Sequence, residues 1–169
     1  MGWCGNGNGS DYLRFKDILY WLGGKYKFSV CSEFFCSLKD AYWDRVQFDF
    51  AIMRKGKLFL IEFDDEDYDG RSHPRRSRKV HACGISNVPF RVFYSNDLWS
   101  GDIEERILGF VFTEVAGKQE VVPSKGCWDF VERNLSWRLK KQYHDEGKRV
   151  YGWARKYVLV NGEIRPNPN

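Results

Sequence analysis

No stretch of the chain approaches the roughly 18 consecutive apolar residues that a membrane-spanning helix needs. The apolar runs are short, and the one at 107–112 is interrupted by Gly109. The N-terminal 1–10 segment is rich in Gly and Asn and has no apolar core, so it does not read as a secretory leader. Cysteine is sparse and odd in number, five residues at irregular spacing: Cys4, Cys31, Cys36, Cys83 and Cys127. Reduced thiols, a cytoplasmic location and no membrane partner are the expectations that follow. Several catalytic signatures are missing too. There is no Gly-x-Ser-x-Gly element and no Gly-Lys-Ser/Thr phosphate loop, and the glycines at 5–9 follow no strand as a dinucleotide fingerprint would. No cysteine sits in a recognisable nucleophile setting, and there is no internal repeat.

What is present is enough for one packed domain: 169 residues, 43% hydrophobic. Aromatics reach 17%, with 7 Trp, 9 Tyr and 13 Phe, which suits bulky core anchors and exposed stacking platforms. The net charge of +4 hides an asymmetry. Residues 1–70 hold 9 basic and 12 acidic side chains, a net of −3; residues 71–169 hold 18 and 11, a net of +7. A basic region beside an acidic cluster fits a phosphate-binding surface around a metal centre, the alternative being a solvated surface of mixed charge.

Ser10 and Asp11 read as cap residues of a first helix with Leu13, Phe15, Ile18, Leu19 and Leu22 on its apolar side, ended by Gly23-Gly24. Residues 25–31 alternate as a first strand and 32–44 read as a connection. Two strands at 45–53 and 58–63 flank a hairpin turn at 54–57 with Gly56 at its tip. The second is apolar almost throughout and is expected to be central and buried on both faces. A helix from about His73 to Cys83, capped by Gly84, leads to a strand at 88–94 that starts near Pro89. A helix over 102–108, a hairpin around Gly117-Lys118 and an amphipathic helix over 125–146 complete the pattern, with Cys127, Trp128, Val131, Leu135, Leu139 and Tyr143 on the last helix's apolar side. The expected fold is α/β, a mixed central sheet flanked by helices with a C-terminal helical extension. The expected divisions are a flexible 1–10, a core at 11–122, a basic helical extension at 123–160 and a mobile tail at 161–169.

Two carboxylates stand out by position. Asp49 lies between Phe48 and Phe50 inside an apolar strand, and Glu62 ends the run Leu-Phe-Leu-Ile. Carboxylates are rarely buried unless paired or metal-bound. A hairpin closing at 54–57 makes residues 49 and 62 cross-strand neighbours on one face, where a divalent cation would relieve their repulsion. Oxygen ligands suit Mg²⁺, with Mn²⁺ as a substitute. Asp64 returns to the same face and is a further candidate ligand. The alternative is that each carboxylate pairs with a nearby Lys or Arg. A zinc site of Cys31, Cys36, His81 and Cys83 is weighed against ordinary buried thiols.

The pattern Phe48-Asp49-Phe50, Leu60-Ile61-Glu62-Phe63-Asp64, His73, Lys79 and Phe90-Arg91-Val92-Phe93-Tyr94 resembles the PD-(D/E)XK nuclease superfamily, nearest its branch of very-short-patch mismatch repair and phage homing endonucleases. The resemblance covers about residues 11–97, and Asp64 stands where the simplest motif has Lys. It implies a restriction-endonuclease-like core, a phage or mobile-element origin, and a metal-dependent DNA endonuclease. Asp49, Glu62 and Asp64 would hold Mg²⁺. His73 would move a proton, and Lys79 would stabilise charge on the phosphoryl group. Arg71, Arg75, Arg76 and Arg78, with Arg138, Lys140 and Lys141 on the C-terminal helix, would contact the nucleic-acid backbone. RNA remains open as a substrate, as does a non-catalytic nucleic-acid-binding or protein-interaction module on a degenerate nuclease fold.

Overall fold

A computed structural model describes residues 9–38, 46–64, 74–117, 119–127, 130–131, 157–160 and 163–166. The elements run α1 (Ser10–Tyr26), β1 (Ser29–Leu38), β2 (Val46–Arg54), β3 (Lys57–Asp64), α2 (Pro74–Ser86), β4 (Phe90–Tyr94), α3 (Ser95–Leu98), α4 (Ile103–Val111), β5 (Val121–Pro123), a short 3-10 turn (Lys125–Cys127), β6 (Tyr157–Val160) and β7 (Glu163–Pro166). The strands form one mixed sheet in the order β4-β3-β2-β1-β5-β6-β7. Among the described residues β3 and β4 are the parallel pair, joined through α2, and the other neighbours are antiparallel.

Helices cover both faces of the sheet. On one face α1, α3 and α4 pack Phe15, Leu19, Leu22, Leu98, Ile103 and Ile107 against Phe50, Ile52, Phe59, Ile61, Phe63 and Phe93. On the other, Ala82 and Cys83 of α2 join Cys127, Phe130 and Val131 over Phe34, Cys36, Phe48, Met53, Leu58 and Leu60. Strand β3 feeds both layers alternately, so its near-continuous apolar sequence is what a doubly covered strand requires. The turn after β2 has positive φ at Lys55 (51°) and Gly56 (74°), the backbone that matches strand twist in a two-residue hairpin.

Several local expectations are corrected. The buried stripe of α1 is Tyr12, Phe15, Leu19, Leu22 and Gly23, whereas Leu13 is exposed. Gly9, not Ser10 or Asp11, is the N-cap. Gly23-Gly24 does not stop the helix, which continues to Tyr26 and ends at Lys27 in the left-handed region. Gly23 is there for close approach: a Cβ at this position would lie 2.7 Å from the Phe28 backbone oxygen. Gly23→Ala is therefore expected to cost about 1–3 kcal/mol through a forced backbone shift, read as a lowered midpoint of chemical denaturation. Helix α2 likewise passes through Gly84 and ends in a Schellman turn. Asn87 takes φ 60°, with Val88 N–H bonded to the Cys83 carbonyl (2.9 Å) and Asn87 N–H to that of Gly84 (3.3 Å).

The segment expected to connect strands is itself strand, since β1 runs to Leu38 with Phe34, Cys36 and Leu38 buried. Residues 113–117 and 119–120 form no hairpin. Gln119 is buried instead and exchanges two 2.9 Å hydrogen bonds with the Leu58 backbone. Strands β6 and β7 stand where helix and mobile tail are expected. The expected flexible start at 1–8 and most of the expected C-terminal helix, 132–156, lie outside the described residues.

Candidate functional site

In an ordinary strand, Phe48 and Phe50 would share a face. Here Phe48 packs on the α2 side and Phe50 on the α1 side. Strand β1 makes the same switch, with Val30 against the α1 layer and Phe34 in the α2 layer. The residue between is Glu33, held at φ 55°, a backbone region rare for a residue with a side chain. The flanking pairs Ser32↔Phe50 and Phe34↔Phe48 place Glu33 level with Asp49. Both strands therefore change faces at the level of Asp49.

The β2–β3 ladder ends at the same level. Its last pair is Phe50↔Ile61, the register in which residue 49 faces residue 62. Beyond it, side chains replace the backbone ladder. The Asp49 N–H donates to Glu62 Oε2 at 3.2 Å, and the Phe63 N–H donates to Asp49 Oδ2 at 2.8 Å. The two carboxyls thus meet at the end of the hairpin, as the sequence spacing implies. Burial, and next the Glu62 charge, push the Asp49 carboxyl up from an ordinary 3.8 to about 8. A carboxyl–carboxyl hydrogen bond to Glu62 adds to this, while the Phe63 N–H and Lys79 act in the opposite direction.

Lys79 reaches Glu62 from α2, its ammonium hydrogen-bonded to Oε1 and 5.0 Å from the centre of the Phe48 ring. One turn earlier, Arg76 contacts Asp64 Oδ2 at 3.5 Å and lies over Tyr94 at 5.8 Å. Its Nε is buried with no acceptor among the described residues. Asp64 therefore faces a guanidinium and does not join the carboxylate pair, and among the described residues no group of three His, Cys, Asp or Glu gathers as a metal-binding set. Arg78 is exposed on α2, and Arg75 lies on the same helix. Arg71, His73, Arg138, Lys140 and Lys141 lie outside the described residues.

The four residues weighed as a zinc site form no metal-binding group among the described residues. His81 is exposed, Cys31 donates weakly to the Ser32 carbonyl, and Cys36 and Cys83 are buried among apolar side chains. Burial pushes the Cys36 thiol up and the Cys83 thiol to about 12, so both are neutral at pH 7.

Tyr12 is a site residue that the sequence reading passed over. It is 5% exposed, with its ring 5.3 Å from that of Phe50 and edge-on to Phe63 at 6.3 Å. Its phenol is held protonated by burial and by the charges of Asp49, Glu33 and Glu62. The spacing Tyr12, Phe15, Leu19 was the available signal, since it describes a cleaner helical stripe than one begun at Leu13.

Comparison with protein-family models, curated proteins and solved structures gives no match.

Proposed function

We propose that the chain is a metal-dependent DNA endonuclease that hydrolyses phosphodiester bonds, on a core of the restriction-endonuclease type. The observation that carries this reading is the meeting of Asp49 and Glu62 where the β2–β3 ladder gives way. Two facing carboxyls, one of them pushed toward its protonated form, are an unfavourable arrangement that a divalent cation relieves. The donors are hard oxygens, and Mg²⁺ commonly takes one or two carboxylates and completes its shell with water and substrate phosphate. The residues therefore fit Mg²⁺ or Mn²⁺, held by Asp49 and Glu62. When bound, such an ion polarises a phosphoryl oxygen and lowers the pKa of a water.

The other groups act on the substrate. Lys79 sets an ammonium beside Glu62, where it can offset charge developing on the phosphoryl oxygens. Arg76 has a buried Nε donor that a phosphate oxygen would satisfy. Arg78, Arg75 and Arg71 would extend contacts along the backbone, and His73 keeps its expected role in proton transfer.

One observation favours the second reading, a non-catalytic nucleic-acid-binding or protein-interaction module. Lys79 already neutralises Glu62, and Arg76 sits on Asp64, so these carboxylates have cationic partners without metal. Cleavage of supercoiled plasmid and labelled single strands in Mg²⁺, Mn²⁺ and EDTA separates the two. Metal-dependent cutting is expected, reduced about 10³-fold or more in Glu62→Gln with DNA binding retained. Cutting that persists in EDTA or survives the substitution overturns the endonuclease reading. Binding without cutting of any substrate supports the module.

A further inference from the structure

One side of α1 carries two groups of exposed aromatic rings set against cations. Arg14 lies over the Trp99 ring at 4.6 Å. Lys25 lies over Trp21 at 4.8 Å and over Tyr26 at 5.4 Å. Tyr26 meets Phe112 edge-on at 6.4 Å, and Arg54 covers the Phe112 ring at 4.6 Å. Positions 14, 18, 21 and 25 form one helical stripe, so the two groups of contacts belong to a single face about 16 Å long between Arg14 and Lys25.

These rings do not serve the core: Trp99 is 60% exposed, Trp21 54% and Phe112 44%. An isolated exposed aromatic needs no explanation, but a row of them paired with cations does. The helix and its cap carry Arg14, Lys16, Lys25 and Lys27 against Asp11 and Asp17, whereas Arg54 is buried and donates to the Val111 and Thr113 carbonyls. Flat rings at the surface stack on unpaired bases, and cations beside them meet the phosphates. A duplex keeps its base faces stacked inside, so the complement of this face is a single strand.

This face also has a direction. Trp99 follows α3, which follows β4 directly, and the last residue of β4, Tyr94, pairs with Asp64. Tyr12, near the start of α1, packs on Phe50 and Phe63, the chain neighbours of Asp49 and Glu62. The Arg14–Trp99 end thus lies at the carboxylate end of the sheet, and the Tyr26–Phe112 end lies by Arg54 at the hairpin turn.

We propose that the α1 face lined by Arg14, Trp99, Trp21, Lys25, Tyr26 and Phe112 binds single-stranded DNA and leads it to the Asp49–Glu62 site. The destination rests on the endonuclease reading, whereas binding is tested without cleavage. Wild type and the double variant Trp21→Ala/Trp99→Ala are titrated in EDTA with labelled oligothymidylate and with a hairpin duplex. Binding of the single strand is expected to weaken about tenfold per ring, duplex binding to stay unchanged, and Trp21→Phe/Trp99→Phe to recover most of the loss. Arg14→Gln/Lys25→Gln is expected to flatten the slope of log affinity against log salt by about 0.7 per lost phosphate contact. Unchanged oligothymidylate binding in the Ala pair overturns the proposal. So does an equal loss for duplex. Intact strip binding with no metal-dependent cleavage counts against the endonuclease reading alone.

Discussion

Asp49→Asn is expected to raise the melting temperature in metal-free buffer at neutral pH and to abolish cleavage in Mg²⁺. Substitutions in a core seldom stabilise it, and the sign here follows from the site. Asp49 sits in a partly buried place that resists its charge, next to Glu62, and its carboxyl is pushed up from 3.8 to about 8. The folded protein therefore holds a proton over a pH range in which the unfolded chain has released it. Stability contributed by this group is complete below the unfolded value and falls as pH rises toward the folded value. An amide keeps an oxygen to accept the Phe63 N–H and carries no charge to desolvate. The gain over wild type is expected to be near zero at pH 3, to grow from about pH 4 to 8, and to reach about 1–3 kcal/mol. That corresponds to about 2–4 °C for each kcal/mol in a chain of this size. Added Mg²⁺ should reverse the ranking, because an ion that binds only the folded wild type raises its melting temperature by mass action. Thermal melts of both proteins across pH, with EDTA or Mg²⁺, check all of these expectations. A variant less stable than wild type at pH 8 in EDTA would show Asp49 to be a structural carboxylate.

The largest loss of stability is expected at Phe15. It is fully buried, with its ring 4.6 Å from Phe63, 5.3 Å from Phe93 and 5.7 Å from Phe50. It joins α1 to β2, β3 and β4 at once. Phe15→Ala removes a large buried ring at the centre of this layer and is expected to cost about 3–5 kcal/mol, lowering the melting temperature by about 6–20 °C. Phe50 and Phe63 are the immediate neighbours of Asp49 and Glu62, so cleavage should fall even at temperatures where the variant remains folded. Phe15→Leu, which restores most of the volume, should recover both properties. Equal cleavage by Phe15→Ala and wild type in the cold would separate this packing from the site.

The part of the fold that positions the site was legible because its signals are local. The turn at Lys55-Gly56 closes two strongly apolar runs, and a two-residue turn fixes the register, so Asp49 opposite Glu62 follows from counting. The doubly buried β3 announces itself by having almost no polar residue before Glu62. The failures come from long-range packing. Gly23 looks like a helix stop, but its lack of a side chain serves the approach of Phe28. The second half of β1 was hidden because the strand changes faces at Glu33, which breaks the period-two pattern. Asp64 shares parity with Glu62, and the approach of Arg76 from α2 is a long-range contact that no local pattern announces. Tyr12 was missed because a tyrosine near a helix start carries no chemical signature until strands 49 and 62 are placed beneath it.

The order of strands in the sheet has a kinetic consequence. Strand β1 pairs on one side with β2, which follows it closely in the chain, and on the other with β5, where Cys36 meets Pro123. The parallel partner of β3 likewise arrives after a whole helix, with Leu60 opposite Phe90. Loop-closure entropy must be lost before such distant pairings return any energy, and chains dominated by them fold slowly, on the order of milliseconds to seconds. The β2–β3 hairpin can form on its own within about microseconds, and β1 is also close in the chain, so β2 can gain both of its final neighbours before the C-terminal strands arrive. The Asp49–Glu62 pairing belongs to that first hairpin, whereas the burial that pushes the Asp49 carboxyl up comes only when the helices cover the sheet.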